Sequence, residues 1–165
     1  MPKATVTSAE WDLVPLVLRA EKKLQGSIKD LMIRLRGHQE AERNANRRDW
    51  VHDQPLRVDG GVVTVRLRIC GSLRCPLPET WSAALILFNE RVDGICHHVR
   101  APNGRGGIAR GWHRHEWSSV TRSCKNFRNE LVGFDPGESM EAFILLCCDA
   151  FGVILETEAS AHGQL

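Results

Sequence analysis

No apolar run in this chain approaches the ~20 residues that a helix needs to span a bilayer, and residues 1–12 lack a charged stretch followed by an apolar one. These absences argue against membrane insertion and secretion, so a cytoplasmic protein without a membrane partner is expected. Internal repeats and long low-complexity segments are also missing, which leaves no support for a solenoid or a fibrous array. Cysteines in zinc-ribbon spacing are missing too. Cys70 and Cys75 are separated by four intervening residues with no matched second pair, and Cys147 and Cys148 are adjacent inside an apolar segment. A chain of 165 residues can bury a stable core without staples, so the six cysteines read as reduced, partly buried thiols.

Basic residues are absent from the end of the chain. Residues 129–165 carry seven Asp/Glu and no Lys or Arg, whereas residues 19–48 carry nine Lys/Arg against four acids and residues 91–128 carry eight against two. A net charge of +2 therefore conceals two basic blocks and an acidic tail. Such a basic surface suits RNA or another nucleic acid, unless the acidic tail folds back and neutralises it.

What remains is an ordinary globular composition, 42% hydrophobic and 25% charged, at the length of a single domain over residues 1–165, with the polar tail 156–165 expected to be mobile. Thr7 and Glu10 form a capping box that starts a first helix striped by Trp11, Val14 and Leu18, with Pro15 expected to kink it or end its first turn. Gly26 breaks that run. Ser27 and Asp30 repeat the box ahead of Ile28, Leu31, Met32 and Leu35, which recur at helical spacing. Beyond Gly37 the pattern turns polar, either as a solvated helix end or as a basic loop offering Arg43, Arg47 and Arg48 to phosphates.

Residues 56–70 read as a hairpin around Asp59-Gly60-Gly61, with Val63, Val65, Leu67 and Ile69 facing the core and Arg66 and Arg68 facing outward. Residues 71–80 are punctuated as a loop, and Trp81 to Phe88 is an apolar run of central-strand character, covered on both faces. Ser118 or Ser119 is positioned to cap a short helix reaching about Leu131, with Arg122, Lys125 and Arg128 on one face. Met140, Phe143, Ile144, Cys147 and Phe151 stripe a core helix ended by Gly152, after which Val153 to Leu155 offers an edge strand or an extension of the core. The fold class is α+β, an antiparallel β-meander of about four to six strands with two N-terminal helices and C-terminal helices packed on the sheet.

The chemistry concentrates in residues 91–117, RVDGICHHVRAPNGRGGIARGWHRHEW, which hold four of the seven histidines. Two candidate strands flank the Gly-rich loop APNGRGG. On the second strand His113 and His115 share a face, while on the first His97 and His98 point opposite ways. Directly opposed residues of an antiparallel ladder share a face, so the register chooses the third member: an even sum of opposed residue numbers selects His97, an odd sum His98. His98 is taken as that member.

Three imidazoles on one face support two kinds of chemistry. Zinc or another divalent metal held by His97 or His98 with His113 and His115 would keep an open position and lower the pKa of a bound water to ~7. Without metal, two histidines could exchange protons with a ribose 2′-hydroxyl and a leaving oxygen, since their unperturbed pKa is ~6.5. In that scheme Asp93 orients one histidine, and Arg91 joins it in the catalytic set. The nucleic-acid contacts would be Arg66, Arg68, Arg100, Arg105, Arg110, Arg122, Lys125 and Arg128, with Trp112 and Trp117 available for stacking. The bland alternative is a hairpin whose histidines are simply half-exposed and hydrogen-bonded.

The order Arg91-x-Asp93, His97-His98, a Gly-containing turn and His113-x-His115 resembles the C-terminal half of small bacterial TumE-type toxin proteins and related uncharacterised families. The similarity covers about one sixth of the chain. This chain has Ala101-Pro102-Asn103-Gly104 where related proteins often show Asn-Pro-Asp-Gly. The resemblance implies a compact toxin-like protein of prokaryotic or phage origin with Arg91, Asp93, His98, His113 and His115 as the marked positions, and a cognate antitoxin or operon partner. Three functions follow for testing: an endoribonuclease built on the histidine hairpin, a non-catalytic nucleic-acid-binding or protein-interaction module of a defence or mobile-element system, and a histidine-based metal-binding protein.

Overall fold

A computed structural model describes residues 5–58, 61, 63–102, 108–124 and 128–155, with side-chain positions for all of these except 98–102, 108–110 and 128. Both capping boxes form. Thr7 Oγ1 accepts from the Glu10 amide at 3.2 Å while Glu10 Oε1 accepts from the Thr7 amide at 3.1 Å, opening α1 (Ser8–Arg19). Ser27 and Asp30 exchange the same pair of bonds at 3.2 and 3.3 Å, opening α2 (Ile28–Asn44). Pro15 does not end α1, which runs on for another turn to Arg19. A mid-helix proline costs ~3 kcal/mol, and burial of Val14 and Val17 returns ~1.5–3 kcal/mol each. The polar half of α2 stays helical to Asn44.

Among the described residues eight strands make one sheet: β1 (Lys22–Leu24), β2 (Asp49–Val58), β3 (Val65–Ser72), β4 (Ser82–Leu87), β5 (Glu90–Pro102), β6 (Ile108–His115), β7 (Arg128–Glu130) and β8 (Val153–Ile154). They lie in the order β7-β6-β5-β4-β3-β2-β1-β8. Strands β1 to β7 run as an antiparallel meander, and only β8 joins in parallel, beside β1. The α+β class holds, with more strands than the sequence suggests. The extra ones are two and three residues long, too short to show a period of two.

Cross-strand partners share a face, so the buried set Val65, Leu67 and Ile69 of β3 lies with Leu87, Leu85 and Ala83 of β4 on one side. The helices pack there, through Leu31, Met32 and Leu35 of α2 and through Phe143, Ile144 and Phe151 of α3 (Met140–Phe151). Trp81 and Trp112 pack against Phe143 in tilted contacts with ring centroids 5.6 and 5.3 Å apart. The other face carries Arg66, Arg68, Ser82, Ala84 and Cys96. Strand β4 is therefore covered by helices on one side only, with Ser82 and Ala84 half-exposed.

Lys22 explains why a strand follows α1 at once. Its ammonium, wholly buried, donates to the carbonyls of Leu18 (3.2 Å), Ala20 (2.9 Å) and Phe151 (2.9 Å), joining the C-terminal ends of α1 and α3. Gly152 closes α3 in the left-handed region at φ 68°, where glycine meets no steric cost.

Residues 118–124 correct the expectation of a basic helix. Ser118 and Ser123 form an isolated bridge around a turn, Arg122 takes φ 51°, and β7 follows instead of a helical stripe. Serine, threonine, valine and asparagine are weak helix formers, and pairing with the β6 edge satisfies the backbone of β7 instead. A single C-terminal helix, α3, is therefore found among the described residues. Asp59, Gly60 and the tail 156–165 lie outside the described residues.

Candidate metal centre

The β5–β6 register pairs Gly94 with His115, Cys96 with His113, His97 with Trp112 and His98 with Gly111. The opposed numbers sum to an odd value. His97 accordingly falls on the helix-covered face, its ring edge-on to Trp112 with centroids 5.1 Å apart, and does not join His113 and His115. His98 has the matching parity, and its side chain lies outside the described residues.

Cys96 joins His113 and His115 on this face. Its Sγ is 3.2 Å from Nε2 of His113 and 3.2 Å from Nε2 of His115, and the two rings stand 5.0 Å apart. The three donor atoms lie within 4.8 Å of one another, and no other such group of three occurs among the described residues. His113 and His115 are 0% and 2% exposed while Cys96 is half-buried, so the cluster is reached from the thiol side.

Protonation follows from what each atom faces. His113 Nδ1 is 3.1 Å from the Gly111 carbonyl, which can only accept, so Nδ1 carries the hydrogen and Nε2 turns its lone pair toward Cys96. A backbone carbonyl on the far ring nitrogen is the usual support of a metal-ligating histidine. Gly111 adopts φ +70° to present that carbonyl. Around tetrahedral zinc, bonds of ~2.3 Å to sulfur and ~2.0 Å to nitrogen put the two donors about 3.5 Å apart, within a few tenths of an ångström of the distances found. Thiolate and imidazole together suit zinc and its borderline neighbours, not magnesium or calcium.

Arg91 lies beside this cluster. It opposes Ile86, which opposes Arg66, so it projects from the open face. Its stem rests on Gly94, the partner of His115, where an added Cβ would meet Arg91 Cδ at 3.2 Å. Arg91 Nε donates to Cys124 Sγ at 3.3 Å, and the Cys124 thiol donates back to the Arg91 carbonyl at 3.2 Å. Burial pushes the Cys124 thiol up, keeping it a neutral donor.

Asp93 corrects the expectation of a histidine-orienting carboxylate. It sits on the helix-covered face, where Arg114 holds it through two bonds of 2.9 and 2.6 Å and the Gly94 amide adds a third at 2.9 Å. Arg114 in turn lies 5.7 Å over the Phe151 ring. The alternation of the strand puts Asp93 opposite in orientation to Gly94, hence away from His113 and His115.

Of the candidate nucleic-acid contacts, Arg68 is clamped to Asp53 by bonds of 2.8 and 3.0 Å, and Arg66 bridges Asp53 at 3.5 Å and Asn89 at 2.9 Å. The Arg68 guanidinium holds the Asp53 carboxyl below the usual carboxylate range. Arg122 is exposed, with Nη1 3.4 Å from Ser8 Oγ. The side chains of Arg100, Arg105, Arg110, Lys125 and Arg128 lie outside the described residues. Trp112 is packed between His97, Phe134 and Phe143 and takes no part in an open stacking surface, whereas Trp117 stacks on Trp11.

Cys96 is the residue that sequence reasoning missed. The signal was present, because an odd register that brings in His98 necessarily brings in Cys96 two residues earlier. No family model, characterised protein or solved structure matches the chain.

Proposed function

We propose that the chain is a metalloprotein whose Cys96–His113–His115 centre holds zinc or a similar borderline divalent ion. One observation carries this reading: Cys96 Sγ stands 3.2 Å from the Nε2 atoms of two buried histidines, one of which is already fixed in the ligating tautomer. Burial supports ligation over free acid–base work, since imidazoles that exchange protons with a phosphodiester must reach it and these two are closed to solvent. Three ligands leave a fourth tetrahedral position, the pattern of centres that bind a water or substrate.

Action on RNA is a second reading, favoured by the placement of Arg91, Arg66 and Arg68 on the same sheet face as the centre. In that reading the metal ion, not a free histidine, is the reactive group.

Elemental analysis of the purified full chain tests the first reading, together with cobalt(II) titration, which gives a thiolate-to-cobalt absorption band when cysteine ligates. About one metal per chain is expected, with loss of both signals in Cys96→Ala and His113→Ala. A folded wild-type chain that retains no metal and gives no thiolate band would refute it.

A further inference from the structure

Three corners of one cell of the sheet hold the metal ligands, and the fourth corner is a glycine. Gly94 opposes His115 and Cys96 opposes His113, while Gly94 and Cys96 follow one another on the same face of β5. Opposed side chains start ~4.5–5.5 Å apart and same-face neighbours along a strand ~6.6 Å apart, so a thiol and two imidazoles can meet over this cell. At Gly94 the ladder itself contributes no side chain.

Arg91 occupies that corner. A Cβ on Gly94 would meet Arg91 Cδ at 3.2 Å and Arg91 Nε at 3.8 Å, so the stem crosses the glycine and the guanidinium begins beside the cluster. Nε is held by Cys124 Sγ at 3.3 Å, and the two terminal nitrogens have no acceptor among the described residues. Arg91 is exposed and lines a cavity of about 240 Å³ with Trp11 and Trp117, so a small ligand reaches it from solvent.

The carboxylates of the three strands stand elsewhere. Glu90 pairs with Leu87 and Asp93 with Leu85, which puts both on the helix-covered face. Glu130 opposes His113 from β7, across β6 from Arg91. A divalent ion on one thiolate and two neutral imidazoles keeps a positive charge, and Arg91 adds to it.

We propose that the open position of the centre takes a small oxyanion, a carboxylate or a phosphate, with one oxygen on the metal ion and another on the terminal nitrogens of Arg91. The planar fork of a guanidinium matches two oxygens carried by one carbon or phosphorus, and such charge-assisted bonds are about twice as strong as neutral ones. The inference rests on the metal-centre reading and names the class of ligand for that centre.

The test uses the full chain loaded with cobalt(II), whose visible bands shift when the fourth ligand exchanges and whose thiolate band reports the cluster itself. Acetate, methyl phosphate and thiocyanate are titrated separately; thiocyanate binds metal through one end and carries no oxygen for the fork. A saturable shift by acetate or methyl phosphate is expected, and the tighter of the two names the class. Arg91→Gln should weaken that oxyanion roughly tenfold and thiocyanate by less, with the thiolate band retained. Arg91→Lys keeps the charge without the fork and should also weaken the oxyanion more than thiocyanate. No saturable shift by either oxyanion, undiminished oxyanion binding by both variants, or an equal loss for thiocyanate would each overturn the proposal. Without a thiolate band the metal-centre reading falls and the inference with it, whereas a thiolate band beside d–d bands that no oxyanion perturbs removes the inference alone.

Discussion

Cys96 and His113 stand directly opposite one another in the β5–β6 ladder, and that pairing places a thiol sulfur 3.2 Å from an imidazole nitrogen whose proton is committed to the other side of the ring. His115 completes the set from two residues further along β6. The geometry makes several behaviours of the protein measurable.

Metal should stabilise the fold. A ligand present at 100 times its dissociation constant adds ~2.7 kcal/mol, and in a chain of this size each kcal/mol moves the melting temperature by ~2–4 °C. Chelator treatment is expected to lower the melting temperature by about 5–10 °C, and His115→Ala should abolish that difference. An equal melting temperature with and without chelator would count against a bound ion.

Gly111→Ala tests the support of His113. Its φ of +70° costs an alanine ~1–2 kcal/mol, and relaxation of the backbone would withdraw the carbonyl from Nδ1. Metal affinity should fall ~10–100-fold while Cys96, His113 and His115 all remain, as expected for a lost outer-shell partner. Competition with a chromophoric chelator measures it.

The Asp93–Arg114 pair is structural in this geometry. Arg114→Met leaves the Asp93 carboxylate buried without its main partner and should cost about 3 kcal/mol, the low end for breaking a buried pair, because Arg114 keeps part of its side chain in water. The double variant Asp93→Asn/Arg114→Met should recover much of that loss in urea unfolding. Metal content unchanged in both variants would agree with the placement of Asp93 on the far face.

Acid should loosen the joint between α2 and β2. His38 Nδ1 lies 3.4 Å from His52 Nδ1, and burial, only partly offset by the bond to Gln54, pushes the His52 imidazole below its ordinary value of ~6.5. The nearby His38 and Arg34 push in the same direction, while Asp53 opposes. Unfolded His52 therefore takes up its proton at a higher pH than folded His52. This contribution to stability is fully present above ~6.5 and is lost as pH falls through the lower folded value. Urea midpoints of wild type and His52→Gln should diverge between neutral and mildly acidic pH. A constant difference across that range would sink the idea.

Much of the fold was legible in particular residues. The Thr7–Glu10 and Ser27–Asp30 boxes announced both N-terminal helices because capping is satisfied within four residues of chain. Val65, Leu67 and Ile69 declared their face by alternation, and the stripe of α3 and its Gly152 stop were equally local. Pro15 does not end its helix, because tertiary burial of its neighbours outweighs one lost hydrogen bond. Lys22–Leu24 gave no signal, since a lysine buried on three carbonyls looks like any other lysine until α1 and α3 converge on it.

The candidate site divides along the same line. From the sequence alone came the hairpin, the shared face of His113 and His115, and the rule that register must choose what lies opposite them, because strand alternation is a property of the local backbone. Only the tertiary structure decided that the sum is odd, that Cys96 completes the cluster in front of both rings, that His97 and Asp93 turn to the helix-covered side, and that Arg91 opens on a cavity walled by Trp11 and Trp117. Those outcomes depend on which strand slides against which and on residues up to about a hundred positions apart meeting across a sheet, and no local pattern encodes them.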